Sequence, residues 1–318
     1  MRAAWICAAF PVIFVAKTVA QTSAQTAGPP LVLRSETRAV QISVIALDKL
    51  GEPIRDLRSQ DFTIFDDGQP RRVQFFSAAA DPAPSARSAE RRQTAIVLDA
   101  LNTEFSDQSY ARDQAVKALE RMPLDESIAI LELTPALKLQ NFTSDRALLL
   151  AAIERFQPIL PPYAMKQRIQ VTLAALKTMA DRMSKAPGRK SMVWITGGFP
   201  SVKAYDGAIE TVLQQINQAD VSVYPVDARG LMLRHGSNFQ AMDRFAESTG
   251  GRAYYNGNDV AGSIEDAVAD SRSTYTIGFY LSGGERDRRF HTLKVEVDRP
   301  GASLRYRRGY SPSNASRN

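Results

Sequence analysis

Short, predominantly apolar runs alternate with helix-like segments between residues 94 and 268, and this alternation constrains the fold more than any other feature. Four runs have the length and composition of strands buried on both faces: 95–98, 128–133, 192–195 and 221–226. Six segments repeat apolar residues at helical spacing: 111–122, 147–153, 169–183, 209–216, 239–246 and 260–268. The alternation predicts a doubly wound, mostly parallel α/β sheet of Rossmann-like architecture, with helices on both faces.

Both ends of this α/β region carry the two-residue rhythm of half-buried strands, seen at 40–44 and 293–297. A hairpin signal, Asp67-Gly68, lies in the first of these regions. The regions either meet in one small β unit into which the α/β domain is inserted, or remain two unconnected flanks. The predicted segments are an N-terminal β segment, a linker, the α/β domain, a C-terminal β segment and a tail: 38–77, 78–93, 94–282, 283–311 and 312–318.

The first twenty residues have the composition of an export signal. Arg2 precedes a short apolar run at 3–16, and small residues up to Ala20 form a cleavage pattern. We therefore predict a signal peptide over 1–20 and a flexible leader over 21–37, with the mature protein periplasmic or extracellular. The single cysteine falls inside the signal, and no second long apolar run follows. The mature chain is thus expected to have no disulfide and no transmembrane anchor.

Known catalytic motifs are missing from the sequence. The segment 188–191 has an arginine inserted into the Gly-Lys-Ser of a phosphate-binding loop, and no G-x-G-x-x-G or G-x-S-x-G pattern follows a predicted strand. Of the two histidines, His291 lies in an alternating strand and is expected at the surface, whereas His235 lies in a glycine-containing loop. A hydrolase using Asp99 or Asp227 with His235 is one alternative, but these residues define no nucleophile. The sequence favours a non-enzymatic protein.

Polar loops follow three of the predicted parallel strands, and ligands bind at this edge of open α/β sheets. The predicted ligand-binding residues of these loops are Asp99, Asn102, Thr103, Thr196, Gly197, Gly198, Asp227 and Arg229. Carboxylate, hydroxyl and amide oxygens suit a hard cation, Mg²⁺ or Ca²⁺. The alternative is that Asp99 accepts hydrogen bonds from the backbone of its own loop.

The chain resembles the von Willebrand factor type A family, and in particular its secreted bacterial members. The stretches that carry the resemblance span nearly all of the predicted mature chain: 57–69, 95–103, 187–191, 194–200, 223–230, 249–255 and 305–310. The resemblance implies the α/β fold and a metal-ion-dependent adhesion site, whose D-x-S-x-S motif follows the first strand.

This chain departs from the adhesion motif at several positions. Asp99 matches the aspartate and Thr103 stands for the second serine, but Leu101 replaces the first. The strand-end T-D-G of metal-binding members is here Thr196-Gly197-Gly198, without the carboxylate, and no threonine or serine occupies position 170. The resemblance therefore implies a degenerate site, with Asp99 and Thr103 as its remaining metal ligands.

We predict an exported protein-binding module of adhesion type, whose partner is another protein or a component of the cell envelope rather than nucleic acid. The alternative is a structural envelope component without a functional metal site.

Overall fold

The computed structural model describes most of the chain: 38–78, 92–186, 190–229, 238–255, 257–270, 274–281, 289–312 and 316–317. Within these residues the strands β1 to β14 are Arg38–Leu47, Phe62–Asp66, Gln69–Arg71, Phe75–Ser77, Gln93–Asp99, Ser127–Leu133, Lys138–Thr143, Lys190–Thr196, Val221–Asp227, Tyr275–Leu281, His291–Val297, Ser303–Arg305, Gly309–Tyr310 and Ser316–Arg317. The helices α1 to α6 are Phe105–Arg121, Arg146–Glu154, Met165–Met183, Asp206–Gln218, Asn238–Thr249 and Val260–Asp270.

A mostly parallel sheet of five strands, in the order β7-β6-β5-β8-β9, confirms the predicted α/β fold class. Only β7 is antiparallel. Because successive residues of a strand point to opposite faces, Val97 packs in the layer of α3, α4 and α5, whereas Ile96 packs in the layer of α1, α2 and α6. From β5 the chain adds β6 and β7 on one side of the sheet and then β8 and β9 on the other side. Ligands of open α/β sheets bind at the carboxyl ends of the strands beside such a change of direction.

The two flanking β segments meet in one sandwich. Strand β1 pairs with β10 over seven residues, and β2 pairs with β11 over five. The sheets β12-β1-β10-β4 and β13-β11-β2-β3 enclose a shared apolar core. The α/β domain is thus inserted between β4 and β10. Strand β10, which the sequence assigned to the 94–282 segment, pairs within the described residues with the sandwich strands β1 and β4, and its apolar side chains are buried in the core shared with the second sheet.

Two largely buried arginines, Arg305 and Arg307, connect the sandwich to the end of the α/β domain where the parallel strands begin. Arg305 pairs with Asp270 at 2.7 Å (Nη2 to Oδ1), at the end of α6. The Nη1 of Arg307 donates to the backbone oxygen of Asn217 at 2.7 Å, and its Nη2 donates to the backbone oxygen of Gln41. These contacts lie at the edge of the sheet opposite to the one where the parallel strands end.

Several predictions fall outside the described residues. These include the signal peptide over 1–20, the whole of the leader over 21–37 and most of the linker over 78–93. Among the helices that the structure describes, none combines the length and the apolar character needed to cross a membrane.

Candidate functional site

The loops that follow β5, β8 and β9 lie side by side at the carboxyl-terminal edge of the parallel sheet, which we call the rim. The backbone N–H of Gly197 donates to Thr103 Oγ1 at 2.9 Å, joining the first two loops. The backbone N–H of Ala228 donates to the oxygen of Thr196 at 2.9 Å, joining the last two. The rim therefore brings together all eight residues predicted to bind a ligand.

Asp99 is the centre of this arrangement, because five donors converge on its carboxylate. Oδ1 accepts the backbone N–H groups of Leu101 and Asn102, each at 3.0 Å. Oδ2 accepts Asn102 Nδ2 at 2.8 Å, and both Trp194 Nε1 and Thr196 Oγ1 at 3.0 Å. The local turn explains the first two bonds, since an aspartate at a strand end readily accepts from the backbone two and three residues on.

The electrostatic balance at Asp99 is set by burial and by these donors. The side chain is almost fully buried, and burial raises the pKa of Asp99 above its ordinary value. Hydrogen bonds from Asn102, Trp194 and Thr196 act in the opposite direction, because they stabilise the ionised form. Among the described residues all five donors are neutral, so no cationic side chain donates directly to this carboxylate.

These residues do not fit the divalent cation that the family resemblance implies. The Trp194 N–H is a donor without acceptor capacity, and it points at Asp99 Oδ2, where a cation would have to bind. A Cβ on Gly197 would lie 2.8 Å from the backbone oxygen of Asn102, so the carboxylate of the T-D-G motif has no room. The apolar Leu101 supplies no oxygen. The geometry thus offers no site for Mg²⁺ or Ca²⁺ at Asp99 and Thr103.

Asn102 links the Asp99 loop to α3. Its Nδ2 also donates to Thr172 Oγ1 at 2.8 Å, although Thr172 lies two residues beyond the position where the family pattern places a threonine. Thr103 is buried and its hydroxyl accepts from Gly197. Asn102 and Thr103 therefore hold the loops of the rim in place.

Asp227 and Arg229 form the third part of the rim. Arg229 donates to both oxygens of Asp227, Nε to Oδ1 at 2.9 Å and Nη2 to Oδ2 at 3.1 Å. The hydrogen bond to Asp227 raises the pKa of Arg229 and keeps the guanidinium charged. Its Cζ also lies 5.2 Å from the ring centroid of Phe239, a cation–π distance.

Two rim residues were not among the predicted site residues. Gln108 Nε2 donates to the backbone oxygens of Ala100, Thr103 and Ile159, and so fixes the loop after β5 against the loop before α3. Trp194 is fully buried, and its N–H completes the Asp99 network. No local pattern reveals either role, since the contacts of Gln108 with Ile159 and of Trp194 with Asp99 span 51 and 95 residues.

Of the eight large apolar side chains that are exposed among the described residues, six lie on the rim side of the α/β sheet, and the other two are Leu50 in the sandwich and Leu148 in α2. These six lie in the first two turns of α1, at the start of α3 or in loops on the rim side: Phe105, Tyr110, Met165, Leu137, Leu160 and Tyr255. Such a concentration on a protein surface is typical of an interaction site. Leu148, at the start of α2, is comparably exposed but lies at the opposite edge of the sheet.

A separate polar group lies in the sandwich, where Asp66, Asp67 and His291 have the arrangement of a group that could hold a metal ion. The expectation that His291 lies at the surface is wrong: it is 7% exposed, because β11 pairs with β2 at the sandwich core. The other histidine, His235, lies outside the described residues.

Comparisons with known proteins give no family assignment. No protein-family model matches the chain, and no match is found among curated proteins. Solved structures of proximal thread matrix protein 1 from the mussel byssus are similar to part of this chain. The form with a zinc-occupied MIDAS motif matches 61% of this chain, with 13% sequence identity and a TM-score of 0.42. A second crystal form gives 16% identity and a TM-score of 0.40. This chain spans about half the length of those structures.

Proposed function

We propose that this protein is an exported, non-enzymatic protein-binding module of adhesion type that docks its partner through the rim. The observation that carries the proposal is the group of exposed apolar side chains at the rim, which includes Phe105, Met165 and Tyr255. Aromatic and methionine side chains are enriched in protein interfaces, where their burial supplies binding energy. The partner is another protein or an envelope component.

The internal pairing of the rim carboxylates supports a binding role over catalysis. Asp99 accepts five hydrogen bonds, and both oxygens of Asp227 accept from Arg229. A general acid or base must bring its reactive atom within hydrogen-bonding distance of the substrate. The oxygens of Asp99 and Asp227 are already occupied by hydrogen bonds within the protein, which disfavours this role. In this proposal the two carboxylates fix the loops, and neighbouring exposed side chains make the contact.

Export is proposed from the sequence alone. The apolar run at 3–16 with the small residues before position 21 supports it, as does the absence of cysteine from the remainder of the chain. The test is N-terminal sequencing of the protein recovered outside the cytoplasm, where the expected first residue is Gln21. Recovery of the uncleaved chain from the cytoplasm alone would remove export from the proposal.

The docking surface is tested by site-specific photo-crosslinking in the cell that produces the protein. A photoreactive amino acid replaces Phe105 or Met165 at the rim, or Leu148 as the control. The control is matched because Phe105 is 51% exposed and Leu148 is 50% exposed. We expect discrete adducts with the same partner at both rim positions and none at Leu148.

The partner identified by crosslinking is then purified and titrated with the variants Phe105→Ser and Leu148→Ser. The first is expected to weaken binding about tenfold, as removal of an interface anchor does, and the second to leave it unchanged. Equal adducts at all three positions, or equal affinity of the two variants, would contradict docking through the rim.

A further inference from the structure

The hairpin between β2 and β3 places two carboxylates beside an imidazole. Asp66 ends β2 and Asp67 opens the turn, with a positive φ of 48° that turns its side chain toward β11. His291 begins β11, and the β2–β11 register brings it next to both aspartates. The group lies in the sandwich, on another part of the molecule from the rim.

The three facing atoms have the separation of ligands around one metal ion. His291 Nδ1 lies 2.9 Å from Asp66 Oδ1 and 3.2 Å from Asp67 Oδ2. All three atoms lie within 4.8 Å of one another. Metal–ligand distances of about 2.0–2.2 Å imply neighbouring ligand atoms roughly 3.0–3.5 Å apart. The observed separations therefore require little rearrangement.

The outer oxygens of both carboxylates are held by other groups, as they are around established metal sites. Asp66 Oδ2 accepts from Arg71 Nη2 at 3.0 Å and from the Tyr310 hydroxyl at 3.2 Å. Asp67 Oδ1 accepts the backbone N–H of Thr292 at 2.8 Å. Such outer contacts orient the ligands and preorganise the site.

Burial is uneven across the group. The side chains of Asp66 and His291 are 2% and 9% exposed, whereas that of Asp67 is 29% exposed. Solvent therefore reaches the group from the Asp67 side, where water molecules can complete the coordination. One imidazole with two carboxylates suits Zn²⁺, Co²⁺ or Mn²⁺ better than Ca²⁺ or Mg²⁺, which prefer oxygen ligands alone.

We propose that Asp66, Asp67 and His291 form a binding site for a divalent transition-metal ion that joins the β2–β3 hairpin to β11. Arg289 Nη2 contacts the same Asp67 oxygen at 2.9 Å, but its side chain is 64% exposed, so this ion pair contributes little and yields to the metal. The site does not depend on the proposed docking function.

The experiment is a Co²⁺ titration of the purified, untagged protein, followed by visible absorption and by competition with Zn²⁺. We expect one equivalent to bind, with d–d bands that Zn²⁺ abolishes. Asp67→Asn and His291→Gln are expected to lower the affinity at least about tenfold. Arg289→Ala is expected to raise it. Asp113→Asn, which alters an exposed ion pair on α1, is the control and is expected to bind as the wild type does.

Asp67→Asn keeps the test independent of folding, because asparagine tolerates the positive φ of this position. Circular dichroism before each titration checks that the variants are folded. Absence of stoichiometric Co²⁺ and Zn²⁺ binding by the folded wild type would overturn the proposal, and so would unchanged affinity in folded Asp67→Asn. Partner crosslinking at Phe105 is unaffected by either result.

Discussion

Asp99 at the rim and Asp66 in the sandwich are equally buried, each 3% exposed, yet they are held by different kinds of partner. Among the described residues, Asp99 accepts hydrogen bonds from neutral groups, whereas Asp66 contacts Arg71 and His291. The same residue type at the same burial therefore has two roles. At Asp99 both oxygens are engaged in holding loops together, while at Asp66 one oxygen lies 2.9 Å from the imidazole nitrogen of His291, in the proposed metal site.

The largest expected effect is on stability, when the two carboxylates are removed in turn. Asp99→Ala leaves five buried donors without their acceptor, and we expect the free energy of unfolding to fall by about 4 kcal/mol. Asp66→Ala is expected to cost about 2 kcal/mol, because the partly exposed Arg71 side chain regains solvent. Urea titration measures both. A smaller loss for Asp99→Ala than for Asp66→Ala would contradict the comparison.

A substitution at Gly197 tests how closely the rim loops pack. The Cβ of Gly197→Ala would lie 2.8 Å from the Asn102 oxygen and 3.0 Å from the Thr103 Cα, and we expect a loss of about 2 kcal/mol. The matched control is Gly207→Ala in α4, where a Cβ meets nothing within 4 Å. There alanine is expected to stabilise the helix by about 0.5 kcal/mol. Thermal unfolding that gives both variants the same midpoint would argue against tight loop packing.

The pH dependence of stability tests the ionisation of Asp99. Since burial raises its pKa, the folded chain holds this proton more tightly than the unfolded chain does. The resulting stabilisation is complete below the ordinary pKa of 3.8 and is lost as pH rises through the raised value. The stability of the wild type relative to Asp99→Asn should therefore fall with rising pH in this window, by up to about 1.4 kcal/mol per pH unit. If the difference in the free energy of unfolding between the two proteins stayed constant across this pH range, burial would not be the dominant effect on the pKa of Asp99.

The smallest expected effect concerns Mg²⁺ and Ca²⁺ at the rim. Because the donors around Asp99 leave no place for a cation, millimolar concentrations of either ion are expected to move the unfolding midpoint by less than about 1 °C through this site. The measurement is isothermal titration calorimetry of two proteins. The first is His291→Gln, which lacks the sandwich group and keeps Asp99, and the second is the double variant His291→Gln/Asp99→Asn. A heat of binding that appears only in the protein with Asp99 intact would contradict this expectation and indicate a metal site at Asp99.

Much of the fold was predictable because burial imposes a local pattern. The strand cores of β5 and β8 are continuous apolar runs, and α3 repeats apolar residues at helical spacing, as parallel sheets with helices on both faces require. Strand β7 was not predicted. It is the antiparallel edge strand of the sheet and is half-exposed, so it has no continuous apolar run.

The candidate sites were predictable only in part. The positions of Asp99, Thr196 and Asp227 at strand ends place them at one edge, and the structure brings their loops together. The role of Trp194 was not predictable, since the indole N–H reaches Asp99 across adjacent strands. Nor was the proximity of Asp66 to His291, which are 225 residues apart in sequence.

The sequence alone determined the alternation of strands and helices, the two-residue rhythm of the flanking segments and the polar ends of the parallel strands, because each depends on near neighbours in the chain. Tertiary structure decided which donors satisfy Asp99, how tightly Gly197 packs and which carboxylates meet His291. Hydrogen bonds and metal coordination depend on distances of about 2–3 Å. For partners far apart in sequence, such as Trp194 with Asp99 and His291 with Asp66, the packing of distant strands sets these distances.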